Sequence, residues 1–211
     1  MAAGSATIAV FAKAPEPGKV KTRLIPALGA AAAAELQRRL VQRVLGAALE
    51  AGLGPVELWC TPDPDHPFFL DCARRYSVSL AAQGPGDLGE RMLRAFDALL
   101  GKSARALLIG TDIPAMTACY LREADAALAS GCDAVLGPAE DGGYVLIGLR
   151  RAAPQLFTGV RWGEAQVCAQ TRVRLEQLAL RYRELAPLWD VDRPEDLRRL
   201  AELEKDWGRG F

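Results

Sequence analysis

The stretch Ala106-Leu-Leu-Ile-Gly-Thr-Asp-Ile-Pro114 decides the fold. Its first four residues are apolar without polar alternation, which is typical of a strand that helices cover on both faces of a parallel sheet. Asp112 follows the carboxyl end of that strand, and Pro114 prevents further ladder pairing. Ligands bind along this edge in open α/β sheets. Asp112 is therefore a candidate for holding a divalent cation against a phosphate. The alternative is that it caps a helix that starts near Thr117.

Length, charge and cysteine usage narrow the class of protein. The chain has 211 residues, enough for one domain with a substantial core. Its 26 basic and 26 acidic residues balance, so we expect neither nucleic acid nor a membrane as partner. The five cysteines form no CxxC pair, and no apolar stretch approaches the roughly 18 residues of a membrane span. We therefore expect a cytoplasmic protein with reduced thiols, of open oligomeric state.

Strand and helix patterns alternate along the chain, which predicts a doubly wound α/β sheet. Short apolar runs predict strands at 7–12, 56–60, 78–81, 106–109, 133–137, 145–149 and 182–188. Apolar residues at helical spacing predict helices at 32–51, 68–76, 88–100, 117–130, 164–180 and from Pro194 onward.

The loop after the first predicted strand carries most of the cationic signal. It reads Lys13-Ala-Pro-Glu-Pro-Gly-Lys-Val-Lys-Thr-Arg-Leu24 and directly follows Ala12. Its cations, together with the turn at Gly18, are typical of a phosphate-binding loop between a strand and a helix. The P-loop pattern GxxxxGK[ST] and the dinucleotide pattern GxGxxG are both missing, so those two folds are not supported. The alternative is an exposed loop with solvated charges; the cations are Lys13, Lys19, Lys21 and Arg23.

A glycine-rich segment precedes the helix predicted from Leu88. Three glycines, Gly84, Gly86 and Gly89, lie within six residues of one another. They indicate that something flat approaches the backbone closely, and a nucleobase fits that description. Asp87 is either part of that site or simply the N-cap of the helix.

Two further loops bring carboxylates to the same predicted edge. Asp141-Gly142-Gly143 joins two strands and is either a plain hairpin turn or part of a loop whose carboxylates, Glu140 and Asp141, face Asp112. Asp190 and Asp192 precede the last helix, so one of them can cap that helix while the other is free to bind metal.

Five motifs occur in order and together resemble one bacterial family. They are Phe11-Ala-Lys-Ala-Pro-Glu-Pro-Gly-Lys-Val-Lys-Thr-Arg-Leu24, Gly84-Pro-Gly-Asp-Leu-Gly-Glu-Arg91, Gly110-Thr-Asp-Ile-Pro114, Asp141-Gly-Gly-Tyr-Val-Leu-Ile-Gly148 and Asp190-Val-Asp-Arg-Pro-Glu-Asp-Leu197. This pattern resembles the DUF2064 family, which carries a glycosyltransferase label and has been linked to arsenosugar biosynthesis. The layout is also similar to 2-phospho-L-lactate guanylyltransferase.

The resemblance implies a fold, a cofactor and a chemistry. The expected fold is a Rossmann-like GT-A three-layer α/β sandwich with a mostly parallel mixed sheet, formed as one nucleotide-diphospho-sugar transferase-like domain over residues 1–211. The expected cofactor is Mg²⁺ or Mn²⁺. The expected reaction is glycosyl transfer from a nucleotide sugar to a small acceptor. The alternatives are nucleotidylyl transfer from an NTP to a phosphorylated small molecule, with release of pyrophosphate, and a non-catalytic nucleotide-binding protein.

The same resemblance assigns roles to residues of this chain. The catalytic residues are expected to be Lys21, Arg23 and Asp112, and the metal ligands Asp112, Asp190 and Asp192. The residues expected to bind the nucleotide are Ala12, Lys13, Gly18, Lys21, Arg23, Gly84, Gly86, Asp87, Gly89 and Thr111. The residues expected to bind the acceptor are Asp141, Gly142, Gly143, Tyr144 and Trp162.

Two departures from the family pattern bear on these roles. The chain has Gly110-Thr-Asp112 where a GT-A glycosyltransferase usually has Asp-x-Asp, and this favours the nucleotidylyl alternative. It also has Trp162-Gly-Glu164 where the family usually has Trp-Ser-Thr, which bears on the acceptor contacts.

Overall fold

A computed structural model describes residues 5–207, with the backbone alone for residues 204, 206 and 207. The strands are β1 Ala6–Lys13, β2 Val56–Thr61, β3 Ser79–Ala82, β4 Arg105–Ile109, β5 Ala134–Pro138, β6 Tyr144–Leu149 and β7 Tyr182–Glu184. The helices are α1 Ile25–Leu28, α2 Ala30–Ala51, α3 Pro67–Tyr76, α4 Leu88–Leu100, α5 Ala118–Ala129, α6 Val167–Gln177 and α7 Asp196–Trp207.

The described strands form one seven-stranded sheet in the order β3-β2-β1-β4-β6-β5-β7. Strand β6 runs antiparallel to both of its neighbours, β4 and β5, whereas the other pairs are parallel. The carboxyl ends of β1, β2, β4 and β5 therefore share one edge, and the turn between β5 and β6 returns to that edge.

Helices cover both faces of the sheet and create two cores. On β1, Ile8 and Val10 face a core built with α2, α3 and α5, whereas Ala9 and Phe11 face a second core built with α4 and α6. The central strands are buried on both faces for this reason, which explains their unbroken apolar runs. The prediction of a three-layer α/β sandwich with a mostly parallel mixed sheet is confirmed.

A smaller third core joins the end of the loop after β1 (residues 13–24, the cationic loop) to the C-terminal segment. Its fully or nearly buried members come from the loop, α2, α7 and the chain between β7 and α7. They are Leu24, Leu36, Leu40, Trp189, Val191 and Leu200. Residues 189–192 are thereby placed at the carboxyl edge of the sheet, beside the loop after β1.

The structure differs from the predicted elements at several places. Helix α6 begins at Val167 rather than 164, and β7 ends at Glu184, after which Leu188 alone bridges to Ala139. A short helix, α1, precedes α2 and was not predicted. Among the described residues, no helix is both long and apolar enough to cross a bilayer.

The alternative of a capping role for Asp112 is wrong. Thr117 is the N-cap of α5, and its hydroxyl accepts a hydrogen bond from the Tyr120 N–H at 3.2 Å. Asp112 is therefore not engaged at the helix terminus and remains at the carboxyl edge of the sheet.

Candidate functional site

A cleft of about 690 Å³ opens at the carboxyl edge of the sheet. The cationic loop (residues 13–24), the loop after β4, the β5–β6 turn and residues 190 and 192 all line it. Its volume lies within the range of small-molecule sites. The structure therefore brings together loops that are separated by more than a hundred residues in sequence.

Most cations of the cationic loop are already engaged within the protein. The Lys13 ammonium donates to the Lys19 carbonyl at 2.7 Å, and Lys19 pairs with Glu16 at 2.5 Å. Arg23 pairs with Asp192. Lys13 and Arg23 are exposed, so both can turn toward a ligand at the cost of exchanging one surface contact for another.

Lys21 differs from the other cations because it is buried. Only 2 % of its side chain is exposed, and its ammonium lies 2.7 Å from Asp112 Oδ1 and donates to the Val191 carbonyl at 2.7 Å. The backbone supports this placement, since Lys21 adopts the left-handed conformation with φ 48°. The Val191 N–H in turn donates to the Asp112 carbonyl at 2.9 Å.

The Asp112 carboxylate has two different sides. Oδ1 is buried, and its contact with Lys21 lacks the angle of a hydrogen bond, so among the described residues it accepts none. Nevertheless, 47 % of the side chain is exposed, which leaves the Oδ2 side open to the cleft. Asp112 thus presents one side of its carboxylate to the cleft, while Oδ1 lies against the Lys21 ammonium.

Asp190 lines the cleft together with Asp112, Asp141 and Asp192. Burial, then the neighbouring charges of Asp141, Asp112 and Asp192, raise the pKa of Asp190 to about 6. These mutually repelling carboxylates gain from a cation placed among them.

The carboxylates that line the cleft suit a hard divalent cation bound together with a nucleotide. Among residues 5–207, no group of three or more His, Cys, Asp or Glu side chains is arranged to hold a metal on its own. Mg²⁺ does not require such a cage, because it is commonly bound by one or two carboxylates together with phosphates and water. Asp112 and Asp190 both line the cleft, and two such carboxylates would suffice for a cation of this kind. Asp192 would first have to leave Arg23.

Gly84, Gly86, Asp87 and Gly89 do not line the cleft, although Gln83 and Leu88 beside them do, and the three glycines lie against other groups of the protein. A Cβ at Gly84 would meet Arg94, one at Gly86 would overlap Glu90, and one at Gly89 would meet Trp162. Asp87 forms a complete capping box with Glu90, with both hydrogen bonds at 2.9 Å. The predicted close approach is therefore real, but the group that approaches is intramolecular; Gly18 likewise does not line the cleft.

The residues predicted to bind the acceptor are only partly in the cleft. Asp141, Gly143, Tyr144 and Trp162 line it, whereas Gly142 packs against Ala165 instead. Tyr144 and Trp162 meet edge to face with ring centroids 6.3 Å apart. Burial raises the pKa of Tyr144, so its hydroxyl stays neutral in the physiological range. Among the described residues, the buried Trp162 Nε1 has no hydrogen-bond partner.

Two buried glutamines line the cleft and were not predicted. Gln83 Nε2 donates to the Trp59 carbonyl at 2.8 Å and to the Ala12 carbonyl at 3.2 Å, which fixes the orientation of its amide. Gln37 Nε2 donates to the hydroxyl of the buried Thr111 at 3.4 Å. Gln37 lies between Leu36 and Arg38, and Gln83 lies between Ala82 and Gly84, so only their burial at the cleft distinguishes them from solvated side chains.

Glu140 does not face Asp112. Its carboxylate pairs with the Arg199 guanidinium through contacts of 2.7 and 2.9 Å, which ties the β5–β6 turn to α7. Asp196, the first residue of α7, accepts from the N–H groups of Asp192 and Arg193, whereas the Asp192 carboxylate pairs with Arg23.

The profile described as an uncharacterized protein conserved in bacteria (DUF2064) matches residues 44–164, more than half of the chain. The chain belongs to the DUF2064 family. No curated protein matches it.

Solved structures place this DUF2064 protein in a wider fold group. A structure from Desulfovibrio desulfuricans G20, provisionally named a nucleotide-diphospho-sugar transferase, is 38% identical to this chain, with a TM-score of 0.81. The match covers 89% of this chain and 82% of the Desulfovibrio chain. CMP:2-keto-3-deoxy-manno-octonic acid synthetase complexed with CTP is 12% identical, with a TM-score of 0.61 and coverages of 96% and 99%. Glucosyl-3-phosphoglycerate synthase from Mycobacterium tuberculosis, with Mn²⁺ and UDP, is 10% identical, with a TM-score of 0.56 and coverages of 92% and 74%. The last two share the fold.

Proposed function

We propose that this DUF2064 protein is a transferase that binds a nucleotide-activated donor in the cleft together with Mg²⁺ or Mn²⁺. Its most strongly supported reaction is glycosyl transfer from a nucleotide sugar to a small acceptor. The single observation that carries the proposal is the convergence of the cationic loop with Asp112 and Asp190 at the carboxyl edge of the sheet.

The arrangement supports recognition of a diphosphate. A carboxylate with one oxygen open to the cleft faces a loop from which two cations, Lys13 and Arg23, can turn to phosphate oxygens. Arg23 offers a bidentate fork, whereas Lys13 offers a point charge. Lys21 is buried, so fewer cations can reach a ligand than the sequence implied.

Asp112 and Asp190 would hold the cation. When bound, a divalent cation stabilises the negative charge that develops on the leaving diphosphate. The protein's own groups orient the donor: Arg23 and Lys13 bind the phosphates, and the Asp141–Gly143 turn with Trp162 lines the space for the acceptor. In this reaction the bond between the sugar carbon and the diphosphate oxygen breaks, and an acceptor oxygen bonds to that carbon as its proton is lost.

Nucleotidylyl transfer is the second candidate, and one observation favours it. The positions before Asp112 are Gly110 and Thr111, so this chain lacks the second acidic residue typical of glycosyltransferases at that place. In that reaction an acceptor phosphate would attack the α-phosphate of an NTP and release pyrophosphate.

A donor panel decides between the two reactions. The protein is incubated with Mg²⁺ and each common NTP or nucleotide sugar, in the presence of phosphorylated and neutral small acceptors. We expect free nucleoside diphosphate from a nucleotide sugar, measured by anion-exchange chromatography. Pyrophosphate formed only from an NTP would replace the first candidate with the second. Neither product with any donor would support a non-catalytic nucleotide-binding protein.

A further inference from the structure

Lys21 is placed unlike a residue that contacts substrate phosphate. Its ammonium has two partners within the protein, Asp112 Oδ1 and the Val191 carbonyl, and its side chain is almost entirely buried. Reaching a phosphate in the cleft would leave Asp112 Oδ1 buried without a cation and the Val191 carbonyl without its donor. Each such loss is costly in a buried environment.

We propose that Lys21 is a positioning residue that acts through Asp112 and does not contact the nucleotide; this role rests on the proposed function. By holding Oδ1, Lys21 fixes the carboxylate so that its Oδ2 side faces the cleft. By donating to the Val191 carbonyl, Lys21 also positions Asp190 and Asp192, which flank Val191 in sequence.

Several contacts make this arrangement a single unit. Val191 both receives the Lys21 ammonium and donates its N–H to the Asp112 carbonyl, so three separate chain segments meet at one point. Val191 is fully buried in the third core beside Leu24, which ends the cationic loop. Shifting Lys21 would therefore move both candidate metal-binding segments relative to each other.

Lys13 provides the contrast within the same loop. It is exposed and lines the cleft, and its ammonium donates to the Lys19 carbonyl of its own loop. A residue of this kind can contact a phosphate directly. Lys13 and Lys21 should therefore respond differently when the charge of Asp112 is removed.

A double-mutant cycle tests the proposal. Binding of nucleoside diphosphates, with Mn²⁺ and with EDTA, is measured by calorimetry for Lys21→Met and Lys13→Met, each in the wild-type and Asp112→Asn backgrounds. Electron paramagnetic resonance of Mn²⁺ follows the metal itself. Thermal melts check folding. The Lys21→Met/Asp112→Asn variant replaces both members of the ion pair with neutral groups of similar size, which is commonly tolerated.

In the wild-type background, we expect Lys21→Met to weaken nucleoside diphosphate binding in the presence of Mn²⁺ by roughly tenfold or more. In the Asp112→Asn background, the same substitution should change that affinity by less than roughly threefold. Binding in EDTA should be nearly unchanged. Lys13→Met should cause a similar loss in both backgrounds. The proposal would be overturned if Lys21→Met caused the same loss of affinity in both backgrounds. It would also be overturned if Lys21→Met weakened binding in EDTA as much as Lys13→Met does. If the wild type bound no nucleoside diphosphate at all, the proposed function would fail and this role with it.

Discussion

Replacing Gly142 with alanine is expected to destabilise the protein by about 3 kcal/mol or more, because two separate costs combine. Gly142 has φ +94°, where an alanine costs about 1–2 kcal/mol. In addition, its Cβ would overlap the Ala165 carbonyl, so the backbone of the loop between Trp162 and α6 would have to move. The Cys168 N–H, which donates to the Gly142 carbonyl at 2.9 Å, would be displaced as well.

Gly163→Ala is the matched control for that prediction. Gly163 has a similar φ of +85° but nothing within 4 Å of its Cβ position, so it should incur the conformational cost alone. Chemical denaturation should separate the two variants by about 2 kcal/mol, with the lower midpoint for Gly142→Ala. Equal destabilisation would show that the contact between the β5–β6 turn and Ala165 contributes nothing to stability.

Asp112→Asn is expected to abolish the gain in nucleotide affinity that Mn²⁺ or Mg²⁺ provides. The asparagine keeps the size of the side chain and can place its amide oxygen against the Lys21 ammonium, so the fold should survive. It removes the charge that binds the cation, and losing a metal ligand should weaken metal-dependent binding roughly tenfold or more. Calorimetry in the presence of the metal and in the presence of EDTA measures the two nucleotide affinities, and their ratio is the gain that the metal provides.

Asp71→Asn serves as the control for that experiment. Asp71 is an exposed carboxylate on α3 that pairs with Arg74, away from the cleft. Its variant should bind nucleotide as the wild type does in both conditions. Retention of the full metal-dependent gain by Asp112→Asn would contradict the assignment of Asp112 as a ligand.

The sheet and the location of the site could be predicted because their signals are local. The apolar run before Gly110 indicates a strand buried on both faces, and Asp112 follows from its position after that strand. The hairpin formed by β5 and β6 follows from the turn at Asp141-Gly142-Gly143. Helix α6 is shorter than predicted because residues 164–166 lack buried side chains that would hold a first turn against the sheet.

Roles that depend on distant partners could not be predicted. Lys21 looks like its neighbours in the cationic loop, but its partners are 91 and 170 residues away in sequence, at Asp112 and Val191. Glycine spacing at Gly84 and Gly86 indicates a close approach without identifying the approaching group, which proves to be Arg94 and Glu90. Gln83 carries no sequence signal, since its importance arises from burial beside the ends of β1 and β2.

The most direct test of the central claim is a crystal structure of the protein soaked with nucleoside diphosphates and Mn²⁺. We expect an anomalous Mn²⁺ peak in contact with Asp112, the phosphates between that ion and Arg23, and the Lys21 ammonium still bound to Asp112 and Val191. A nucleotide bound outside the cleft, or phosphates held in the cleft with no metal at Asp112, would contradict it.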